Sequence, residues 1–218
     1  FIYATYFHCN SATVGTADKS VNDPVFKDAL AGLLKQGKAA SWGWLAKQTG
    51  GEWARAGYLT GSSVKAVLDA AGYLEVMVDA KPPVKHFEAA CNTSEDYVWH
   101  VLAGNDARGK RGPVSWSTYY VCDGSREEQA DALVKQALAP TYEKLVADKK
   151  IVTWLWAEHI IGGKYRRLAT MTAESRDALI SVREGLARAN EHDPLDAAMT
   201  SICDSHQDYI WDVKNQGP

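Results

Sequence analysis

No apolar run in this sequence approaches the roughly 20 residues that a helix needs to span a bilayer, so no membrane span is expected. Basic clusters are equally scarce. The chain carries 24 Lys and Arg against 27 Asp and Glu, a formal charge of −3 and a pI near 6.1. Its densest basic stretch, Arg108, Lys110 and Arg111, sits among glycines. Phosphate-backbone binding needs a clustered basic face, so nucleic acid is not an expected partner. There is no Gly-rich phosphate loop, no nucleophile elbow, no His-Glu-x-x-His and no Ca²⁺ loop. Cys-x-x-Cys is absent and the cysteines are spread singly, so no metal site is expected. Met and Cys are not arranged as haem ligands. The expectation is therefore no cofactor, with haem, held by a His, as the alternative.

What is present is an ordinary globular composition, with 218 residues, 46% hydrophobic and 23% charged. Tryptophan is abundant at eight residues, most of them expected in the core, where the ring fills volume and needs one polar partner. The chain opens directly on strand-like sequence, as expected either of a mature chain whose leader has been removed or of a trimmed one.

The sequence repeats itself. Tyr3-Ala4-Thr5-Tyr6-Phe7-His8-Cys9-Asn10 matches Trp116-Ser117-Thr118-Tyr119-Tyr120-Val121-Cys122-Asp123. Ser41-Trp42-Gly43-Trp44 matches Thr153-Trp154-Leu155-Trp156, and Gly50-Gly51-Glu52-Trp53-Ala54-Arg55 matches Gly162-Gly163-Lys164-Tyr165-Arg166-Arg167. Cys91 followed by Asp96-Tyr97-Val98-Trp99 matches Cys203 followed by Asp208-Tyr209-Ile210-Trp211. The offset is 113 residues at the first block and 112 at the others. Four blocks in register point to a tandem duplication. The units are residues 1–103 and 114–218, and the breaker-rich, charged stretch 104–113 is the linker.

Each unit begins with an aromatic and β-branched strand, about 2–9 and 114–122. A helix follows. Asp23-Pro24 supplies an N-cap with proline at the first position, and Ser125-Arg126-Glu127-Glu128 has capping-box spacing. Pro140 is expected to end or kink the second unit's helix. Strands at 39–47 and 53–60, and at 151–159 and 165–172, flank a Gly-Gly turn as hairpins. Helices over 62–75 and 173–190, short helical pieces at 83–90 and 194–201, and a last strand complete each unit. The order β-α-β-β-α-(α)-β is that of the ferredoxin-like split βαβ unit. One such unit leaves a sheet face bare, and two on one chain can cover each other.

In this pattern, and in the Ser41-Trp42-Gly43-Trp44 and Gly50-Gly51-Glu52-Trp53-Ala54-Arg55 blocks with their counterparts, the chain resembles the dimeric α/β-barrel superfamily. It is most similar to antibiotic-biosynthesis-monooxygenase-like and NIPSNAP-like domains. The resemblance covers the whole chain. It implies an α+β fold of two tandem ferredoxin-like repeats packed as an intramolecular dimeric α/β barrel. The superfamily includes haem-degrading and quinol monooxygenases, isomerases, haem enzymes and members of no known activity, so the fold alone assigns no function.

Cys9 and Cys91, and Cys122 and Cys203, are counterparts. Four cysteines allow three pairings, and duplication favours the two pairs within units. Closing loops of about 80 residues would stabilise each unit by on the order of 4 kcal/mol. The other reading is four buried thiols. Disulfides would place the protein in the periplasm or outside the cell. Asn92-Thr93-Ser94 also fits a glycosylation sequon.

Trp42 and Trp44, with Trp154 and Trp156, share one face of a strand by period-2 alternation. They either line a pocket for an aromatic ligand or pack the core. Arg55 and Arg167 occupy counterpart strand positions. Each could hold a carboxylate bidentately or pair with the shared Asp96 or Asp208. Features unique to one unit are the sharper candidates. His159 replaces Lys47 and Glu158 replaces Ala46; being adjacent on a strand, they face opposite sides. His159 as proton carrier and Arg167 as oxyanion anchor form the expected catalytic set, with Glu158 as its other candidate. His206 replaces Ser94 two residues before Asp208 and joins the ligand-binding candidates. His8 and His100 meet only if their strands are close. The expected function is an exported protein with a pocket for a small apolar or aromatic ligand, in its enzymatic form a cofactor-independent monooxygenase or isomerase. The alternatives are a non-catalytic binding module with the same pocket, and a structural or interaction module whose cavities are filled by its own aromatic side chains. Further association of such pseudo-dimers is left open.

Overall fold

The computed structural model describes residues 1–105, 111–191 and 193–218. Half of the expected linker at 104–113, residues 106–110 with Arg108 and Lys110, therefore lies outside the described residues. Eight described strands form one closed antiparallel barrel: β1 (Ile2–His8), β2 (Ser41–Gly50), β3 (Arg55–Thr60), β4 (Thr93–Gly104), β5 (Val114–Val121), β6 (Thr153–Ile161), β7 (Arg167–Ala173) and β8 (Ser205–Gly217). Around the barrel the order is β1-β3-β2-β8-β5-β7-β6-β4. The first half of the chain thus supplies β4-β1-β3-β2 and the second β8-β5-β7-β6. They join where β2 pairs β8 and β4 pairs β6, each junction carrying two register shifts. Closure leaves no unpaired strand edge.

The helices lie outside this barrel. In the first half they are α1 (Val14–Val21), α2 (Pro24–Lys35), α3 (Val64–Val78) and α4 (Pro82–Ala90). In the second they are α5 (Glu127–Leu133), a π-helical turn at Val134–Leu138, α6 (Ala139–Ala147), α7 (Arg176–Asn190) and α8 (Pro194–Ile202). Asp23 caps α2 through a hydrogen bond from Val25 N at 2.9 Å, and Ser63 and Ser175 cap α3 and α7 in the same way. The capping box at Ser125 does not form. Ser125 donates its hydroxyl to Asp123, and α5 starts only at Glu127, with Arg126 at the N-cap and no side-chain cap. The break expected at Pro140 is taken up just upstream of it, by the π turn. A wider turn absorbs the missing donor of a proline set in the first turn of α6. Helix α1 had no counterpart in the sequence expectation, which placed one helix after the first strand.

The Gly-Gly hairpins have a tertiary reason. Gly50 adopts φ 125° and Gly162 φ 140°. A Cβ at Gly50 would collide with the Asp208 carbonyl and the Tyr209 ring, and one at Gly162 with Tyr97 and the Asp96 carbonyl. Each hairpin therefore presses its backbone onto the last strand of the opposite half, an approach and a conformation open only to glycine. The cysteine sulfurs lie at bonding distance as Cys9–Cys91 and Cys122–Cys203, with Cα–Cα separations of 4.0 and 3.9 Å. Each pair ties the end of a half's first strand to the residue before its last.

Candidate functional site

Period-2 alternation sends half of every strand into the barrel and half toward the helices. The inward set is a plug of rings: Tyr6, Trp99, Tyr119 and Trp211, with Tyr97 and Tyr209. Trp53 and Tyr165, two residues ahead of β3 and β7, close over them. Tyr6 stacks on Trp53 at 4.2 Å, Trp53 on Tyr209 at 5.2 Å, and Tyr97 on Trp99 at 5.0 Å. The barrel centre is thus a packed core. Burial pushes the hydroxyls of Tyr6 and Tyr119 far above the ordinary tyrosine range, which keeps them neutral.

The four candidate tryptophans point the other way, into the layer between sheet and helices. There Trp44 donates to Asp18 of α1 at 2.8 Å, and Arg55 grips the same carboxylate through Nε and Nη2, both at 2.7 Å. The second half repeats this: Trp156 donates to Asp131 of α5 at 2.7 Å, and Arg167 holds it through Nε and Nη2, both at 2.8 Å. Arg167 also bonds Glu127 at 2.9 Å and is only 2% exposed. Both arginines pair with helix aspartates instead of Asp96 or Asp208. Their bidentate geometry welds the first helical segment of each half onto the sheet. Asp131 lies 113 residues after Asp18, the offset of the first strands. That was the signal available in the sequence, and it was missed because α1 was not foreseen.

His159, Glu158 and Arg167 do not converge on a cavity. His159 faces inward against Tyr97 and Trp99, whereas Arg167 faces the helices. His159 Nδ1 accepts from Arg166 at 2.9 Å, Arg166 pairs Glu127, and Glu127 pairs Arg167. The two candidates are therefore ends of a charge chain, not partners. Burial and the neighbouring Arg166 lower the His159 pKa. Burial alone would raise the Glu127 carboxyl, but Arg166 and Arg167 hold it below the usual carboxylate range. Glu158 turns to His100, at 2.7 Å, and His100 stacks on Phe1. β1 and β4 do pair, yet His8 lies opposite Thr93 while His100 lies beyond Ile2 at the other end. His8 contacts Glu95, at 3.3 Å.

Two cavities open between the sheet and the helices, one in each half, on counterpart strand residues. The first, about 480 Å³, is floored by Thr5, Phe7, Trp42, Trp44 and Leu59. The second, about 400 Å³, is floored by Thr118, Tyr120, Trp154, Trp156 and Met171. Both fall within the 300–1,000 Å³ range of small-molecule sites. Of the binding candidates, Trp42 and Trp44 line the first cavity, Trp154, Trp156 and His206 the second, and Arg55 neither.

The second cavity holds the more reactive set. His206 stands at its mouth, 3.6 Å from Asp208 and against the Tyr120 ring. Asp208 accepts from Thr118 at 2.5 Å and from Trp116 at 3.2 Å, which fixes the carboxylate behind the imidazole. Arg183 of α7 lies over the Trp116 ring at 4.6 Å. Its Nε and the Trp154 Nε1 are buried without a partner among the described residues. Tyr142 stacks on Trp154 at 5.2 Å. Haem does not fit this donor set. Among the described residues His206 is the one imidazole lining either cavity, and it stands exposed at the rim with Nε2 turned to Asp208. No cluster of three or more metal-ligating side chains occurs among the described residues.

No family model matches the sequence, and no curated protein matches it. Solved structures do. A putative monooxygenase from Lactobacillus acidophilus superposes with a TM-score of 0.59 at 8% identity, covering 99% of this chain and 94% of that one. An anthrone oxidase-like protein gives 0.57 at 10% identity, covering 99% and 91%. A putative chlorite dismutase gives 0.50 at 8% identity, covering 99% and 92%. Each match runs over the whole barrel, and at such identities what is shared is the fold. The chain therefore has a mixed α+β fold, a closed eight-stranded antiparallel barrel that these neighbours share.

Proposed function

We propose that the chain is a duplicated ferredoxin-like unit, residues 1–103 and 114–218, folded as an intramolecular pseudo-dimer. In this reading it is an exported enzyme that oxidises a small aromatic molecule in the second-half cavity without a cofactor. The strand orders β4-β1-β3-β2 and β8-β5-β7-β6 support the duplication. The two cysteine pairs support an oxidising compartment, and the described helices include none long and apolar enough to cross a membrane.

The observation that carries the enzymatic reading is a difference between two cavities floored by counterpart strand residues. Only the second has an imidazole at its mouth backed by a fixed carboxylate, His206 with Asp208; the first has Ser94 at that position. Asp208 orients the ring and stabilises the imidazolium that forms when His206 takes a proton. The aromatic walls of Tyr120, Trp154 and Trp156 hold a flat substrate. An activated methylene beside an aromatic ketone is the matching chemistry. His206 removes one proton, the carbanion reduces O₂ and bonds to it, and loss of water leaves a carbonyl. One substrate and one O₂ give one product and one water, so no external reductant is needed.

Anthrone is the probe, its conversion to anthraquinone being followed by absorbance in air and under argon. Oxygen-dependent turnover above the buffer rate is expected, with His206→Ala lowering it about 100-fold or more at unchanged unfolding temperature. Unaltered turnover in that variant would refute the role of His206. A binding protein without chemistry is the second reading, favoured by the first cavity, which no histidine lines among the described residues. Saturable anthrone binding without turnover would establish it.

A further inference from the structure

The first-half cavity differs from its counterpart in charge, most directly at two matched positions of the helix that covers each. Arg183, over the Trp116 ring in the second half, is replaced by Ala71, and Ala187 is replaced by Glu75; all four line their cavities. At these two positions the first cavity loses a cation and gains a carboxylate; the second keeps its carboxylates elsewhere, at Glu191, Asp193, Asp196 and Asp204, beside Arg183. Among the described residues no lysine, arginine or histidine lines it. The neighbouring Arg55 is spent on Asp18, and Trp44 donates its one N–H to the same carboxylate.

What remains is an aromatic box with one acidic wall. Tyr3, Phe7, Phe26, Trp42, Trp44 and Phe87 supply the rings. Phe7 and Phe87 meet edge to face at 5.0 Å, and Trp44 leans on both at 5.6 and 5.7 Å. Glu75 stands at the solvent-facing side of α3, and with Asp96 it adds negative potential around the Tyr3 hydroxyl. Ring faces carry negative quadrupole potential, so such a box attracts a poorly hydrated cation and repels an anion. A carboxylate at the rim strengthens the same preference.

We infer that the first-half cavity is a second binding site, selective for a hydrophobic organic cation, an amine or quaternary ammonium on an apolar body. It is independent of the oxidative chemistry proposed for the second half, since the two cavities share no residues. The body of the ligand displaces water from Leu30, Leu59 and Leu74, and the ammonium sits between the indoles and Glu75.

The test uses the intact protein and a matched pair of probes, phenyltrimethylammonium and its uncharged isostere tert-butylbenzene, titrated by tryptophan fluorescence. The cation is expected to saturate one site and to bind about ten-fold or more tightly than the isostere. Glu75→Gln, on an exposed helix position, should weaken the cation about three-fold or more and leave the isostere unchanged. Arg183→Ala should alter neither affinity. Equal affinities for the two probes, no saturable binding of the cation, or indifference of the cation to Glu75→Gln would each overturn the assignment.

Discussion

Replacing Arg167 with methionine separates architecture from catalysis in the most conspicuous charged cluster of the molecule. The Arg167 side chain is 3% exposed and makes three charge-assisted hydrogen bonds, two to Asp131 and one to Glu127. Methionine fills much of the same volume but leaves Asp131 with a single donor, the Trp156 indole. Removing one partner of a buried pair costs about 3–5 kcal/mol, because the other charge stays buried. With urea slopes of roughly 1–3 kcal/mol per molar, the unfolding midpoint should fall by about 1 M or more. Arg55→Met is the internal control. Arg55 is 11% exposed and its one carboxylate partner, Asp18, is 27% exposed, so its loss should cost less, about 1–2 kcal/mol. Asp131→Leu added to Arg167→Met should recover part of the loss, since an apolar replacement of the whole pair is near neutral. If Arg167→Met unfolded with the wild type and instead abolished anthrone turnover or binding, the structural assignment would be refuted and Arg167 would belong to a reactive site.

Two further predictions follow from the same geometry. Closing loops of 82 and 81 residues, each cysteine pair should contribute about 4.5 kcal/mol in the chain-entropy model. Cys9→Ser with Cys91→Ser should therefore lower the melting temperature substantially, and titration of the native wild type for thiols should find none; four titratable thiols would contradict the pairing. Acid should destabilise the fold in two stages. Asp18, which burial alone would raise, is brought below its ordinary pKa by hydrogen bonds from Arg55 and Trp44, and Glu127 and His159 are lowered too. A depressed folded pKa means that the unfolded chain takes up protons first. Stability is thus full above about pH 7, declines below about 6.5 through His159, and declines more steeply below about 4.5 through the carboxylates. Urea midpoints at pH 8, 5.5 and 3.5 measure this, and His159→Gln should remove the first stage alone.

Much of the architecture was legible because it rests on local rules. The strands and their alternation, the Asp23 and Asp193 caps, the hairpin glycines and the cysteine pairing all follow from spacing within a repeated pattern. The face that each strand turns to the core did not follow, because both faces are aromatic. Tyr6 and Phe7 are neighbours, one inside the barrel and the other under the helices, and composition does not distinguish them. The catalytic expectation at His159 and Arg167 failed to assemble for that reason. β6 and β7 do pair, with Glu158 opposite Arg167, but His159 and Arg167 emerge on opposite sides of the sheet. Asp18 and Asp131 were missed because the short helices that carry them make sense only once a buried arginine awaits them.

The sequence by itself determined the mixed α+β class and the order of the strands, and it favoured the cysteine pairs, since each is encoded in periodicity and offset along one chain. Only the tertiary structure decided that the barrel centre is filled, that the cavities lie outside it, and that His206 rather than His159 borders one of them. Those facts depend on barrel closure, which sets the inside and outside of every strand at once and brings Asp131, Arg167, Asp208 and His206 to places that no local pattern specifies.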